Sequence, residues 1–263
     1  MRIGIDIQST QTKMTGLGVY TKNFTEHLTQ FADSRFNFVF LSHPTSRDLN
    51  TPQRLWWENI ELPKLARREG LDLLHIPAFA APWIPPCPMV VTVHDLIGRA
   101  YPNQLSWPSR FYWGRWLPAS IRKARKIIAD SQHTKLDILK YLKVPESKIA
   151  VINPSGHEGF SVRSEVVPLN RVKNDLKIYE RYFLFVGTIE PRKNLSRTIQ
   201  AFARFLKEKT VQDSFQLVIV GSKDFAHGKC YIRLLQNTGL EAQHLVFTGY
   251  LDTERLNRLY CGA

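Results

Sequence analysis

The groups best suited to chemistry in this 263-residue chain are two cations ahead of a helix and a histidine at the end of a strand. Arg192 and Lys193 complete a short charged turn that begins with Glu190 and Pro191. Before it, Tyr182 to Val186 is an apolar and aromatic run that reads as a buried strand, ended by Gly187 and Thr188. After it, Asn194 is a candidate N-cap, and Leu195, Ile199, Phe202 and Leu206 recur on one helical face. Ligands of open α/β sheets sit at the C-terminal ends of strands. A helix N-terminus adds partial positive charge and free N–H groups. Two fixed cations beside that dipole suit a phosphate or a diphosphate. The same residues also fit a solvated strand-to-helix loop, and their chemistry alone does not choose between the two.

The histidine is His94, followed by Asp95, at the end of the strand Met89 to Val93 in TVHDL. A histidine there can bond a sugar hydroxyl or move a proton. The competing role is a structural His–Asp pair that anchors the next loop. Near the N-terminus, the strand Arg2 to Ile7 runs into a polar loop, Gln8 to Thr15, and then Gly16-Leu17-Gly18 before a helix from about Val19 to Phe31. Two glycines there would let backbone approach a ligand, or would simply permit a tight turn. The third glycine of a dinucleotide fingerprint is missing, and no acidic residue ends the next strand, Phe36 to Leu41, which argues against a nicotinamide-dependent dehydrogenase.

These groups need a scaffold, and the pattern supplies one. Strands at Leu71 to His75, Met89 to Val93, the run before Asp130, and Lys148 to Asn153 alternate with helical stretches. The helix from His133 to Leu142 is expected to turn Leu136, Leu139 and Tyr141 or Leu142 inward. Such alternation predicts a parallel, doubly wound sheet. Ser161 to Asn170 is polar and aperiodic and reads as a linker. A second, smaller set follows: the opening strand–turn–helix, then Phe215 to Val220 ending at Gly221-Ser222, a helix around Tyr231 to Thr238, His244 to Thr248 ending at Gly249-Tyr250, and a helix from Asp252 with Leu256 and Leu259 inward.

Composition narrows the partners. Apolar residues make up 43% of the chain, which is enough for a sizeable core. The net charge of +13 favours acidic partners: nucleotide phosphates, nucleic acid or an anionic membrane surface. The cations are spread, and no nucleic-acid motif is present. Cys87, Cys230 and Cys261 show no metal-ligand spacing and read as reduced, mostly buried thiols. No signal peptide opens the sequence, and no apolar run approaches the roughly 20 residues that cross a bilayer. From Ser106 to Lys126 the chain is aromatic and basic. Trp113, Trp116, Leu117, Ile121 and Ala124 fall on one helical side, with Arg115, Arg122, Arg125 and Lys126 mostly opposite, and Pro118 should kink or split the helix. That face could rest on anionic lipid or pack on the sheet with its cations in solvent.

In this order along the chain, TGLGVYTKNF, LDLLHIPAF, VTVHDLIGRAYP, IIADSQHTKLDI, FLFVGTIEPRKNL, LVIVGS and LVFTGYLDTERLNRLY resemble the family-4 retaining glycosyltransferases, with FVGTIEPRKNL the most specific piece. Within that family the chain looks most like bacterial mannosyltransferase-type enzymes of polysaccharide and lipopolysaccharide assembly. The resemblance implies an α/β chain of GT-B type with two Rossmann-like, doubly wound domains. Residues 1–165 would be the acceptor domain and residues 166–263 a nucleotide-sugar-binding domain, the second incomplete. It implies transfer of a mannose-like hexose, with retention, from a GDP- or UDP-linked sugar to a glycan or lipid-linked acceptor. No metal and no cofactor beyond that co-substrate would be needed. The setting would be the cytoplasm, at the inner face of the cytoplasmic membrane, with no nucleic acid as partner.

Residue by residue, the resemblance makes Lys193 the lysine on the donor diphosphate, with Arg192 sharing the task. Many relatives carry a second phosphate-binding arginine where this chain has Thr188, a departure for which Arg192 could compensate. Gly18 matches the glycine that faces the donor phosphates, and His94 the histidine near the transferred sugar. Tyr250 and Leu251 stand where relatives contact the base. Relatives continue beyond the segment matching LNRLYCGA into an EGFGLP-type loop and an E-x7-E pair that grip sugar and ribose. HEGF at His157 to Phe160 is no substitute, since Val166 stands eight residues after Glu158. The expectation is a chain that is inactive or unstable alone, or a piece of a longer product; a non-catalytic binding or regulatory remnant is the alternative.

Overall fold

A computed structural model describes residues 1–11, 16–30, 33–44, 49, 51–78, 81–104, 107–156, 159–162, 168–189, 193–208, 215–221 and 238–263. They form two units, Met1–Ser155 and Gly156–Ala263.

The first unit is built on six parallel strands: β1 (Arg2–Asp6), β2 (Asn37–Leu41), β3 (Leu73–Ile76), β4 (Met89–Val93), β5 (Lys126–Ala129) and β6 (Ile149–Val151). Their order is β2-β1-β3-β4-β5-β6, so the direction of winding reverses between β1 and β3. Such a reversal opens a crevice at the C-terminal strand ends. Strand residues Ile5, Leu74, Ile76, Val91, Val93 and Ile127 are buried, together with the helical Leu62, Leu117, Ile121, Ile138 and Leu142. The parallel, doubly wound architecture expected from the sequence is therefore present.

Local chemistry explains the helices and two departures from expectation. Helix α1 spans Gly16–Gln30, so Gly16 and Gly18 belong to its first turn rather than to the loop before it. A first turn tolerates glycine because its N–H groups have no intrahelical partner. Helix α2 (Thr51–Trp56) continues through a π-turn, Trp57–Glu61, into α3 (Leu62–Arg68). After a short α4 (Ile97–Ala100), the aromatic and basic stretch repeats this device: α5 (Trp107–Phe111), a π-turn Tyr112–Trp116, and α6 (Leu117–Ile121). Each π-turn is followed by Leu-Pro, and each leucine N–H reaches the carbonyl five residues back. Proline cannot donate to the helix, and widening the turn ahead of it relieves the clash. Pro118 thus reshapes the helix without splitting it.

Helix α7 (Gln132–Leu142) is capped by Ser131, whose Oγ accepts the Thr134 N–H at 3.1 Å. It ends at Lys143 in the left-handed conformation, φ 53°. Its inward residues are Thr134, Ile138 and Leu142, while Leu136 is 63% exposed, contrary to expectation. The inward row runs i, i+4, i+8 from Thr134 to Leu142, and Leu136 lies about 200° around the helix from Thr134, on the far side. Ser131→Ala should cost about 1 kcal/mol of unit stability, measured by urea unfolding, through the orphaned N–H.

Among the described residues the second unit holds three parallel strands in the order β7-β8-β9: β7 (Arg181–Val186), β8 (Phe215–Val220) and β9 (Leu245–Gly249). Along β8 the side chains alternate. Leu217 and Ile219 pack with Leu195, Ile199, Phe202 and Leu206 of α9 (Leu195–Glu208), the four residues that share a face in the sequence. Val218 and Val220 pack instead with Val172 of α8 (Leu169–Leu176) and Leu259 of α10 (Thr253–Gly262), so helices cover both faces. Asp252 caps α10 by accepting the Arg255 N–H at 2.9 Å. Strand β7 is less buried than its sequence suggests. It lies at an edge of this described sheet, and Phe183 is 47% exposed against Phe202 and Phe205. Ser161 is held by Asn257, which accepts its N–H at 3.2 Å and donates to its carbonyl at 2.9 Å. Cys87 is half-buried and Cys261 exposed, so these thiols are not the buried ones expected; both are free.

Candidate functional site

In the second unit the three strands run the same way and end at glycines on one edge: Gly187, Gly221 and Gly249. Backbone bonds tie them together, Gly187 N–H to the Val220 carbonyl at 2.9 Å and Gly221 N–H to the Gly249 carbonyl at 3.0 Å. Gly187 and Gly249 have φ of 153° and 77°, which side chains resist. A Cβ on Gly221 would collide with the Gly187 carbonyl. The edge is therefore bare backbone, open to close approach by a ligand.

Lys193 lies across this edge. It is exposed, and its Cε is 3.9 Å from the place a Cβ on Gly187 would occupy. The next residue, Asn194, sits at the helix entrance in the left-handed conformation, φ 56°. An N-cap residue is ordinarily extended, so Asn194 departs from that geometry; its carbonyl accepts the Arg197 and Thr198 N–H groups at 3.0 and 3.2 Å. Thr188 is exposed beside Gly187. Tyr250, just past Gly249, is 73% exposed, whereas Leu251 is 8% exposed and belongs to the core cluster of Val218, Val220 and Leu259. The structure thus gathers Lys193, Thr188 and Tyr250 at one glycine edge. Arg192, with Glu190 and Pro191, lies outside the described residues, as do Glu158, Ser222, Cys230 and residues 231–237.

In the first unit His94 follows β4 at the C-terminal edge of the sheet. Its Nε2 is 2.8 Å from the Pro77 carbonyl. A carbonyl only accepts, so Nε2 donates. Its Nδ1 turns to Asp130 Oδ2 at 3.5 Å. The Thr134 hydroxyl lies 2.7 Å from Asp130 Oδ1 and 3.0 Å from the His94 carbonyl, which fixes the pair. The carboxylate partner is therefore Asp130, not the adjacent Asp95, which accepts the Ile97 N–H instead. Tyr20 of α1 meets the His94 ring edge-on at 4.6 Å. Gly18, buried two residues earlier on α1, is thereby carried to the same end of the sheet.

That edge also holds acids that the sequence does not single out. Asp6 ends β1 and is 6% exposed; burial raises its carboxyl to about 6, partly offset by the Gln8 N–H bonded at 3.0 Å. Glu58, in the first π-turn, is 1% exposed. Burial pushes it to about 8, and the Asp6 charge adds to the rise against the bond from Tyr112. The Tyr112 hydroxyl, on the second π-turn, lies 3.2 and 3.1 Å from the two Glu58 oxygens. Glu58 is recoverable from sequence only as an acid among apolar neighbours Trp57 and Ile60. Tyr112, 54 residues away, carries no local signal.

Comparison with known proteins identifies the class. The family model Glycosyltransferase Family 4 matches residues 15–155, and Glycosyl transferases group 1 matches residues 167–263. The chain belongs to glycosyltransferase family 4. Among its relatives is the serotype-specific mannosyltransferase WbdA of Escherichia coli, 27% identical over 189 residues, covering 70% of this chain and 22% of WbdA. Another is the O-antigen chain mannosyltransferase RfbU of Salmonella typhimurium, 30% identical over 138 residues, covering 52% of this chain and 33% of RfbU. This chain therefore spans only a fraction of these relatives' length. Among solved structures, Anabaena HepE in complex with UDP-glucose matches with a TM-score of 0.66 and 17% identity, over 98% of this chain and 71% of that one. WaaG, a glycosyltransferase involved in lipopolysaccharide biosynthesis, matches with a TM-score of 0.68 and 11% identity, over 98% and 72%. These neighbours bear out the GT-B type expected from the sequence.

Proposed function

We propose that this chain serves the transfer of a mannose-like hexose from a GDP- or UDP-linked sugar to a glycan or lipid-linked acceptor, with retention, in cell-surface polysaccharide or lipopolysaccharide assembly. The observation that carries the reading is Lys193 lying across the glycine edge of the second unit. Breaking the anomeric bond puts negative charge on the departing diphosphate and oxocarbenium character on the sugar. Fixed cations and backbone dipoles that meet the growing charge lower that barrier without a metal. Lys193 takes the diphosphate, with Thr188 near it at the glycine edge, and Arg192 and Gly18 are each assigned to donor phosphates. His94 is assigned to the transferred sugar. With Nε2 committed to a carbonyl, Nδ1, held toward Asp130, is the nitrogen suited to proton exchange. Tyr250 and the backbone at Leu251 are assigned to the base. The names of WbdA and RfbU support mannose, and the UDP-glucose in HepE supports a nucleotide-sugar donor. No described helix is long and apolar enough to cross a membrane, and contact with a membrane surface is part of the proposal.

Calorimetric titration with GDP-mannose, UDP-glucose and NAD tests the reading. Saturable binding of at least one nucleotide sugar, with none of NAD, is expected. Failure of both sugars to bind would leave the chain without a donor site and overturn it.

A further inference from the structure

We infer that the first unit holds a glycan subsite on its first π-turn, where Trp56, Glu61 and His43 grip one neutral pyranose ring of the acceptor. The inference rests on the proposed reading that the acceptor is a glycan, and it makes a sugar ring, not a lipid, the partner of this surface. Trp56 ends α2 and is 55% exposed, whereas its neighbour Trp57 is 1% exposed. An exposed indole is ordinarily free to turn, and this one is held: its N–H donates to Glu61 Oε1 at 3.1 Å. Residues five apart lie about 140° around an ordinary helix and point apart. The turn Trp57–Glu61 is bonded five residues back, which brings Glu61 to the Trp56 side.

Glu61 links the indole to a second fixed group. Its Oε2 lies 3.3 Å from His43 Nε2. The His43 ring stands edge-on to Trp57 at 5.8 Å, and its backbone N–H donates to Gln8 Oε1 at 2.8 Å. His43 follows β2 and Gln8 follows β1, so the group sits at the C-terminal edge of the sheet, the edge that also carries His94. Ligands of doubly wound sheets bind at that edge. The side chains reach solvent: those of Glu61 and His43 are 34% and 16% exposed.

The chemistry of the three groups selects the ligand. A pyranose ring has a face of C–H groups and a rim of hydroxyls. The negative face of an indole attracts the C–H groups. A carboxylate has about four acceptor positions, and Trp56 and His43 occupy two of them, which leaves Glu61 able to accept sugar hydroxyls. Groups already held in place lose little freedom when the ring arrives. Charge separates a sugar from a lipid headgroup. Among the described residues Glu61 pairs with no lysine or arginine, so an anionic headgroup would face a carboxylate that no cation neutralises. A neutral hydroxyl instead donates to it.

The test follows the indole N–H resonances of the nitrogen-labelled full chain during titration with mannotriose, maltotriose and chitotriose in the absence of nucleotide. The Trp56 resonance is the one missing from Trp56→Phe. At least one of these sugars should shift it saturably. The affinity for that sugar, read by saturation transfer from protein to ligand, should fall about fivefold or more in Trp56→Ala, through loss of the ring face. It should fall by a similar factor in Glu61→Gln, which keeps the size of the side chain and removes its charge. Trp107→Ala removes an indole that is 79% exposed on α5 and should leave affinity unchanged; an equal loss there would overturn the subsite. Dihexanoyl phosphatidylglycerol should leave the Trp56 resonance in place. A saturable shift with that phospholipid and none with the sugars would make this surface a lipid contact and overturn the subsite, as would no shift with any of them. Nucleotide sugars are titrated separately, so failure to bind them would overturn the donor reading alone, and failure of the sugar shift would overturn the subsite alone.

Discussion

Near pH 9 the Glu58→Gln chain should be more stable than the parent by about 4 kcal/mol, and near pH 4.5 the difference should vanish. An unfolded glutamate gives up its proton near 4.5, whereas burial holds Glu58 protonated to about 8. Between those values the native state binds more protons than the unfolded one, so stability falls as pH rises through the window and stays reduced above it. The span corresponds to about 4–5 kcal/mol at about 1.36 kcal/mol per pH unit, an upper bound for a single group. Glutamine keeps an oxygen for the Tyr112 hydroxyl and has no charge to desolvate. Asp6, raised from 3.8 to about 6, adds a smaller loss of the same sign between those values. His75 acts oppositely. Burial lowers it from 6.5 to about 4, so its contribution is lost as pH falls through that range. Thermal unfolding of both chains at several pH values measures the effect. A constant difference across pH would show that Glu58 is ionised in the native state.

Gly221→Ala should destabilise the second unit by about 3 kcal/mol or more, in the range of overpacking a site that cannot yield. The added Cβ would strike backbone, the Gly187 carbonyl oxygen and its carbon, rather than a side chain that could swing away. Relief requires parting β7 from β8 at the bond between Gly187 N–H and the Val220 carbonyl. Since Lys193 lies over Gly187, nucleotide-sugar binding should be lost with the register. Gly156→Ala has nothing within 4 Å of the new atom and should stay within about 0.5 kcal/mol of the parent. Urea unfolding of both variants checks the pair, and a Gly221→Ala chain as stable as Gly156→Ala would refute the packing described here.

Much of this was legible in the sequence because it is local. The face Leu195, Ile199, Phe202 and Leu206 follows from helical period alone, and the strand ends at Gly187, Gly221 and Gly249 follow from glycine after an apolar run. What escaped depends on contacts between distant residues. His94 is followed by Asp95, yet its partner is Asp130, brought in by β4 pairing with β5. Glu58 and Tyr112 meet through two π-turns, and a wider helical turn shifts the wheel on which an inward face is read. Leu136 was misplaced because the inward row of α7 includes the polar Thr134, whose hydroxyl is bonded to Asp130 and the His94 carbonyl, a contact no apolar period records. The exposure of Phe183 depends on the position of β7 in its sheet, which no pattern within the strand records.

The donor assignment turns on whether the glycine edge grips the second phosphate of a nucleotide. Calorimetric titration of GDP against GMP, and of UDP against UMP, into the parent chain and an Arg192→Ala/Lys193→Ala variant measures this directly. For the nucleotide the site accepts, the diphosphate should bind the parent at least about tenfold more tightly than the monophosphate, and the variant should lose that preference. Equal affinities in the parent, or a preference for diphosphate that survives in the variant, would contradict the account.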